Sequence, residues 1–153
     1  MVAWRAASSS DDDAIIAMYR ALYEEDPGPE PVAIVRIRRT LARFRDRPES
    51  GRAVVLHADG RSVGYALLIP FWSNELGGEI CTVDEIYVQP AWRGQGYASA
   101  LITSLSTASN LWPEQPVALE LEITPTNARA RALYERLGFS IKKNTTMRRQ
   151  SRT

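Results

Sequence analysis

The most informative stretch of the sequence is residues 83–99, where a β-rich run leads through a glycine-containing turn into a helical pattern. The turn contains Arg93, Gly94 and Gly96. Because glycine lacks a Cβ atom, a ligand can approach the backbone closely there. The first amides of the following helix have no partner within that helix, and they point outward at the positive end of its dipole. Together these features predict a binding site for a diphosphate group.

The local pattern leaves two other interpretations of this turn open. Gly94-x-Gly96-x-x-Ser99 after a strand also resembles the phosphate-binding turn of a dinucleotide-binding fold. That fold places the turn after its first strand and continues with several βαβ units, whereas here at least three candidate strands precede the turn and 54 residues follow Ser99. The remaining interpretation is a tight turn that only packs a helix against a sheet.

The N-terminal third predicts one short strand and two helices. A strand over residues 2–5 precedes a helix that starts within residues 8–13, where polar and acidic residues suit the positive end of a helix dipole. Three prolines and a glycine in residues 26–31 must end that helix. The next helix has one apolar face, formed by Ile34, Ile37, Leu41 and Phe44.

The rest of the chain predicts strands that alternate with helices. Residues 53–57 and 63–71 are β-rich and joined by a hairpin signal, and residues 79–88 form a further strand. A helix over residues 96–110 follows the glycine turn, and its inward face is formed by Tyr97, Leu101, Leu105 and Ala108. An alternating strand over residues 117–123, a helix from Asn127 that Gly138 ends, and short strands at 139–141 and 145–149 complete the prediction. The expected fold is a single mixed α/β domain over residues 1–153, with six to seven strands and about four helices.

Composition narrows the function class. The chain has 153 residues and a formal net charge of +1, so no global field indicates nucleic acid or an anionic membrane as a partner. One cysteine, Cys81, and one histidine, His57, are too few for an internal disulfide or a zinc site with three or four such ligands. With no apolar run of signal-peptide or membrane-spanning length, we expect a soluble, cytoplasmic protein with Cys81 as a small buried residue.

Two motifs then identify a family resemblance. Arg93-x-x-Gly96-x-Ala98 after an Ile-Tyr-Val strand end resembles the acyl-CoA motif of the GNAT superfamily of N-acetyltransferases. A second block is similar to the family's Asn-x-x-Ala-x-x-x-Tyr helix and the Gly-Phe turn after it, with Asn127, Ala130 and Tyr134 followed by Leu137-Gly138-Phe139. The order of strands and helices before both blocks also fits, so the resemblance covers nearly the whole chain.

The resemblance implies acetyl-CoA as cosubstrate and no metal. In that family the strand matching residues 84–88 holds the pantetheine arm through main-chain hydrogen bonds, as an added strand would, and an N–H near Val88 faces the thioester oxygen. The amides of residues 93–98 would hold the pyrophosphate. Asn127 would bind the pantetheine arm while also capping its helix. The implied cofactor-binding set is Ile86, Tyr87, Val88, Arg93, Gly94, Gln95, Gly96, Tyr97, Ala98, Ser99 and Asn127.

The resemblance also implies direct transfer of the acetyl group to a primary amine, with two proton transfers. Tyr134 would donate a proton to the departing thiolate. A carboxylate on the central strand, acting directly or through water, would remove a proton from the acceptor amine. Asp84 and Glu85 are the candidates. As neighbours they point to opposite faces unless a bulge intervenes, and we favour Glu85 as the substrate-side residue.

The acceptor amine is the part of the implied reaction that the sequence determines least. Acidic and aromatic residues before the central strand suit a cationic amine, and the candidates for contacting it are Trp72, Glu75 and Glu79. The six arginines of residues 36–47 form either a solvated face or a site for an acidic substrate. The partner is expected to be a small-molecule or peptide amine, and a homodimer is compatible with the family. There are two alternatives. The donor could be another acyl-CoA, or the chain could be a non-catalytic module that binds or senses acyl-CoA.

Overall fold

The chain folds as a five-stranded sheet with helices on both faces, in a computed structural model that describes residues 1–151. The strands follow one another across the sheet in chain order: β1 Val2–Ala6, β2 Arg52–Ala58, β3 Arg61–Ser73, β4 Gly78–Val88 and β5 Ala118–Leu121. The first four strands are antiparallel, and β5 runs parallel to β4. The helices are α1 Asp12–Glu25, α2 Ile34–Asp46, α3 Tyr97–Ser106 and α4 Ala128–Arg136.

Two hydrophobic clusters, one on each face of the sheet, hold these layers together. On the first face, α1 and α2 bury apolar residues at helical spacing, including Ile15, Ile37 and Leu41, against Tyr65 and Tyr87. On the opposite face, α3 buries the cluster Leu101, Ile102 and Leu105 against side chains of β2, β3 and β4. The predicted mixed fold and the order of its first nine elements are therefore confirmed. None of the helices within residues 1–151 is both long and apolar enough to span a membrane.

The strand β4 is irregular at Asp84. Its pairing with β3 passes from Leu68 opposite Val83 to Leu67 opposite Glu85, so Asp84 has no partner and forms a bulge. Pairing between β4 and β5 ends at Val83 opposite Leu121. The last residues of β4 therefore continue along β3 while β5 is no longer paired beside them.

The prediction of six to seven strands was too high, because residues 139–141 and 145–149 form no strand. Residues 140–151 are exposed throughout, including Ile141 and Met147, which are 61% and 93% exposed. A hairpin made from this segment would bury too little apolar surface to compensate for ordering its backbone.

The helix α3 ends four residues earlier than predicted, and Ala108 lies exposed beyond it. The hydroxyls of Ser106 and Thr107 donate to the carbonyls of Ile102 and Thr103, at 2.8 and 3.4 Å. Such bonds compete with the backbone donors that would continue the helix. Thr107 accordingly adopts an extended conformation.

The end of α4 fixes the position of Tyr134. Gly138 has a φ of 94°, and its N–H donates to the carbonyl of Glu135 while Phe139 N–H donates to the carbonyl of Tyr134. These two bonds define a glycine-terminated helix end of the Schellman type. The Phe139 ring then packs edge-on against the ring of Tyr134, with centroids 5.6 Å apart.

Replacing this glycine should therefore weaken the fold. We expect Gly138→Ala to lower the free energy of unfolding by about 1 kcal/mol, because alanine pays a steric cost at positive φ. Urea denaturation measures the change, with the exposed Ser140→Ala as control. Equal stability of the two variants would contradict the assigned helix end.

Candidate functional site

The turn after β4 presents a row of unpaired backbone amides. The first amide of α3 that donates within the helix is that of Ala100, to the carbonyl of Gly96 at 2.9 Å. Within the described chain, the amides of residues 94–99 donate to no protein acceptor. Gly94 and Gly96 have φ of 74° and 84°, and a Cβ at either position would meet nothing within 4 Å. The open space beside these amides fits an anionic group such as a diphosphate.

Contacts with β1 hold this row of amides in place. The indole Nε1 of Trp4 donates to the carbonyl of Tyr97 at 2.8 Å. The rings of Trp92 and Tyr97 lie 6.5 Å apart on the two sides of the glycines. The start of α3 is thereby anchored to the sheet through side chains at a long sequence distance.

Arg93 differs from the residues that follow it. Its amide already donates to the carbonyl of Pro90 at 3.2 Å. Its Nε donates to the carbonyl of Val88 at 2.7 Å, and its guanidinium lies 5.2 Å from the centre of the Tyr87 ring. The same side chain forms an ion pair with Glu25 at the end of α1, at 2.8 Å. Arg93 is thus held by protein groups, whereas the amides of residues 94–99 have no acceptor in the described part of the chain.

The outer edge of β4 beyond Val83 offers backbone groups for an added strand. The amide of Gln89 donates to the carbonyl of Val63 in β3. Because alternate residues of an antiparallel strand direct their N–H and C=O groups to opposite sides, those of Ile86 and Val88 face away from β3. Tyr87 directs its backbone toward β3. Of the three predicted main-chain contacts, the structure places Ile86 and Val88 on the open edge.

Glu85 lies between two tyrosines on the α1 side of the sheet. The hydroxyl of Tyr23, from α1, donates to Oε2 at 2.8 Å, and that of Tyr65, from β3, donates to Oε1 at 2.8 Å. Burial raises the pKa of the Glu85 carboxyl; the two hydrogen bonds act in the opposite direction, and the charge of Asp84 adds to the rise. Burial and the adjacent carboxylate also raise the pKa of both phenols, so both remain donors.

Asp84 occupies the bulge and retains contact with solvent. The bulge is the exception under which Asp84 and Glu85 were not expected to alternate between faces, and alternation is indeed interrupted: Val83 packs in the α3 cluster and Tyr87 in the α1 cluster, although both have odd numbers. The bulge breaks the alternation. Loss of hydration raises the pKa of Asp84 even though its side chain is partly exposed, and the negative charge of Glu122, just after β5, raises it further.

Asn127 and Tyr134 lie at the start and within the last turn of α4. The side-chain oxygen of Asn127 accepts a hydrogen bond from the amide of Ala130 at 3.0 Å, which confirms the predicted N-cap and leaves its NH₂ group without a partner among residues 1–151. The Tyr134 side chain is 8% exposed, and its hydroxyl bonds to no group of residues 1–151. Burial raises the pKa of this phenol, which keeps it protonated.

The three residues predicted to contact the acceptor amine lie away from the bulge at Asp84. Trp72 and Glu75 are exposed at the tip of the hairpin between β3 and β4. Glu79 accepts a hydrogen bond from Nε1 of Trp112 at 3.1 Å, which makes it part of the packing around that indole. At about 3.4 Å per strand residue, Glu79 is roughly 17 Å from Asp84. The fold therefore does not bring these three residues together with the bulge.

Cys81 is buried, as predicted. Burial, together with the charge of Glu79, raises the pKa of its thiol to about 12. A thiol with so high a pKa is almost wholly protonated at neutral pH and is a poor nucleophile.

Sequence analysis did not identify Tyr23, Tyr65 or Glu25 as site residues. Tyr23 and Glu25 belong to the last turns of α1, and Tyr65 follows the alternating pattern of β3. Each has a local pattern typical of a packing or surface position. Their contacts span 62, 20 and 68 residues of sequence, so no local signal could have found them.

Comparison with known proteins places this geometry in context. A model of the acetyltransferase (GNAT) family matches residues 13–139. A possible acetyltransferase from Clostridium difficile 630 is 17% identical with a TM-score of 0.81, and the alignment covers 100% of this chain and 99% of that one. An integron cassette protein from the mobile metagenome of Cole Harbour Salt Marsh is 24% identical with a TM-score of 0.75, covering 98% and 91%.

A third similar structure is the ribosomal-protein-alanine N-acetyltransferase of Brucella melitensis biovar Abortus 2308, at 22% identity and a TM-score of 0.72, covering 98% of this chain and 100% of that one. At identities this low, likeness of structure shows the fold alone. Among curated proteins, none matches this chain.

The environment of Glu85 generates a prediction about stability. Folding raises the pKa of its carboxyl above the ordinary 4.5, so its contribution to stability is fully present below that pH and is lost as pH rises through the folded value. Glu85→Gln cannot titrate. The stability of the variant relative to wild type should therefore increase as pH rises above about 4.5.

Urea unfolding at several pH values measures this difference. Glu24→Gln, at an exposed position of α1, is the matched control, measured at the same pH values. A Glu85→Gln difference that does not vary with pH would contradict the assigned environment.

Proposed function

This chain belongs to the acetyltransferase (GNAT) family, and from that premise we propose that it transfers the acetyl group of acetyl-CoA to a primary amine. The observation that supports this most directly is the conjunction of two features at one end of β4. Ile86 and Val88 direct backbone groups to an unpaired strand edge, and the free amides of residues 94–99 follow a few residues later. An extended amide-containing arm that ends in a diphosphate matches both features in one molecule.

The residues present fit coenzyme A. The amides from Gly94 to Ser99 would hold the pyrophosphate, and the open edge of β4 together with the Asn127 amide group would hold the pantetheine arm. When bound, acetyl-CoA supplies an acetyl thioester. The Val88 N–H on the open edge would donate to the thioester oxygen, where negative charge develops during attack. No step requires a metal ion.

Asp84 is the better candidate for the group that accepts a proton from the acceptor amine. Both carboxylate oxygens of Glu85 already accept hydrogen bonds from tyrosines, which occupy its lone pairs and oppose the rise in pKa that burial causes. Asp84 has no such donor among residues 1–151 and reaches solvent, and its pKa is raised as well. An alkylamine with a pKa of about 10 is mostly protonated at neutral pH, so a nearby base, acting directly or through water, is needed before attack. Glu85 would instead contribute negative charge that attracts the ammonium group.

Tyr134 would supply a proton to the departing sulfur. Its ring is fixed by the end of α4, and its hydroxyl is protonated and bonded to no described protein group. A thiol with a pKa of about 8.5 leaves more readily when it departs protonated.

We further propose that the enzyme acts in the cytoplasm on a small-molecule or peptide amine. The buried, unpaired Cys81 is consistent with a reducing compartment. The fold and the cofactor features do not select among acceptors.

Release of CoA thiol from acetyl-CoA across a panel of amines tests the proposed activity. Mono-, di- and polyamines, amino acids and peptides with free N-termini or lysines form a suitable panel, with propionyl- and succinyl-CoA as alternative donors. Amine-dependent release is the expected result. CoA binding without release on any amine would favour a sensing module over an enzyme.

The assignment of the base predicts different pH profiles for two variants. Asp84→Asn should lower kcat/KM by about a hundredfold at neutral pH, and the deficit should shrink as pH rises toward the amine pKa, because the free amine then forms without help. Glu85→Gln, as the matched variant, should show a smaller deficit that varies less with pH. The reverse order of effects would assign the base to Glu85.

The role of Tyr134 predicts a loss confined to turnover. Tyr134→Phe should lower kcat by about tenfold to a hundredfold while leaving CoA affinity nearly unchanged, because the ring and its packing against Phe139 are retained. Steady-state kinetics combined with direct measurement of CoA binding separates the two. Unchanged turnover would reject the proton-donor role.

A further inference from the structure

The guanidinium of Arg93 joins three parts of the molecule that are distant in sequence. It lies at the start of the glycine turn, bonds to the carbonyl of Val88 at the end of β4, and lies against the ring of Tyr87. Its Nη2 also contacts both carboxylate oxygens of Glu25 in the last turn of α1, at 3.0 and 2.8 Å. Hydrogen bonds between ionised groups are stronger than neutral ones, and three different kinds of contact restrain one planar group.

This placement argues against direct contact between the Arg93 side chain and the cofactor phosphates. Its positive charge is paired with Glu25, and its Nε is used by the Val88 carbonyl. To reach a phosphate, the guanidinium would have to abandon both contacts. The phosphate cradle is instead formed by backbone amides that begin one residue later.

We infer that Glu25 is a positioning residue for cofactor binding, acting through Arg93. The inference rests on the proposed function. Glu25 holds Arg93, and Arg93 holds the end of β4 against the start of the glycine turn. Without this restraint the turn samples more conformations, and the cofactor must order it on binding, at a cost in affinity.

The C-terminal turn of α1 also positions Glu85, which lies beside the carboxylate proposed to deprotonate the acceptor amine. Tyr23, two residues before Glu25, donates to Glu85. The C-terminal turn of α1 therefore contacts both the residue that restrains the cofactor turn and the carboxylate next to the bulge. No bound group is needed to form either contact.

The test compares Glu25→Gln, Arg93→Gln and the double variant in calorimetric binding of CoA. Each single variant should weaken CoA affinity by about three- to tenfold, the size expected for a partly exposed charged pair with additional contacts. The CoA affinity of the double variant should equal that of whichever single variant binds CoA less tightly, because both changes remove one shared restraint. Glu24→Gln removes the same charge from the same turn of α1, from a residue that forms none of these contacts, and should bind as wild type does.

The alternative outcomes are distinct. If Arg93 contacted phosphate directly, Arg93→Gln would weaken binding while Glu25→Gln left it unchanged or tightened it, and this result would overturn the inference. Additive losses in the double variant would overturn it as well. If wild-type protein failed to bind CoA, the proposed function would fall and the inference with it. Thermal unfolding midpoints close to that of wild type exclude a general loss of structure as the cause of weaker binding.

Discussion

The candidate site depends on one backbone irregularity, the extra residue that Asp84 inserts into β4. A regular strand would alternate its side chains strictly between the two faces. The bulge breaks that alternation, so Asp84 and Glu85 do not occupy the faces that their positions imply. Pairing with β5 ends at Val83, one residue before the bulge, and no other strand of residues 1–151 lies beside the outer edge of β4 beyond it. An accessible strand edge and a pair of carboxylates therefore occur at the same point of β4.

The surroundings of Glu85 and Asp84 show how a carboxylate is kept in a partly buried environment. Removing a carboxylate from water costs several kcal/mol unless hydrogen bonds replace its hydration. Two phenols, one from α1 and one from β3, provide those bonds to Glu85. Asp84 reduces the same cost in another way, by keeping contact with solvent. Two adjacent residues of the same chemical type therefore differ in available lone pairs and in exposure to solvent, and this difference separates their proposed roles.

The similar structures share the fold of this chain, but their names say much less about the chemistry. The three similar structures cover nearly the whole chain at identities between 17% and 24%, yet only one of their names states an acceptor. The shared fold accounts for the strand edge and the helix start, which are backbone features that many sequences can form. Acceptors are recognised by side chains, and these are free to change while the backbone is kept.

The sequence by itself determined the first nine elements and the glycine turn at residues 93–98, because those depend on neighbours in the chain. The glycines at 94 and 96, the Asn127 cap and the stop at Gly138 each express a conformational preference that acts over a few residues. Tertiary structure decided what depends on distant residues. The bulge at Asp84 appears only when β3 is laid beside β4, Tyr23 reaches Glu85 only when α1 packs on the sheet, and Glu25 meets Arg93 across 68 residues. Local propensity acts through the backbone of adjacent residues, whereas these contacts are set by the packing of whole elements, which sequence spacing does not encode.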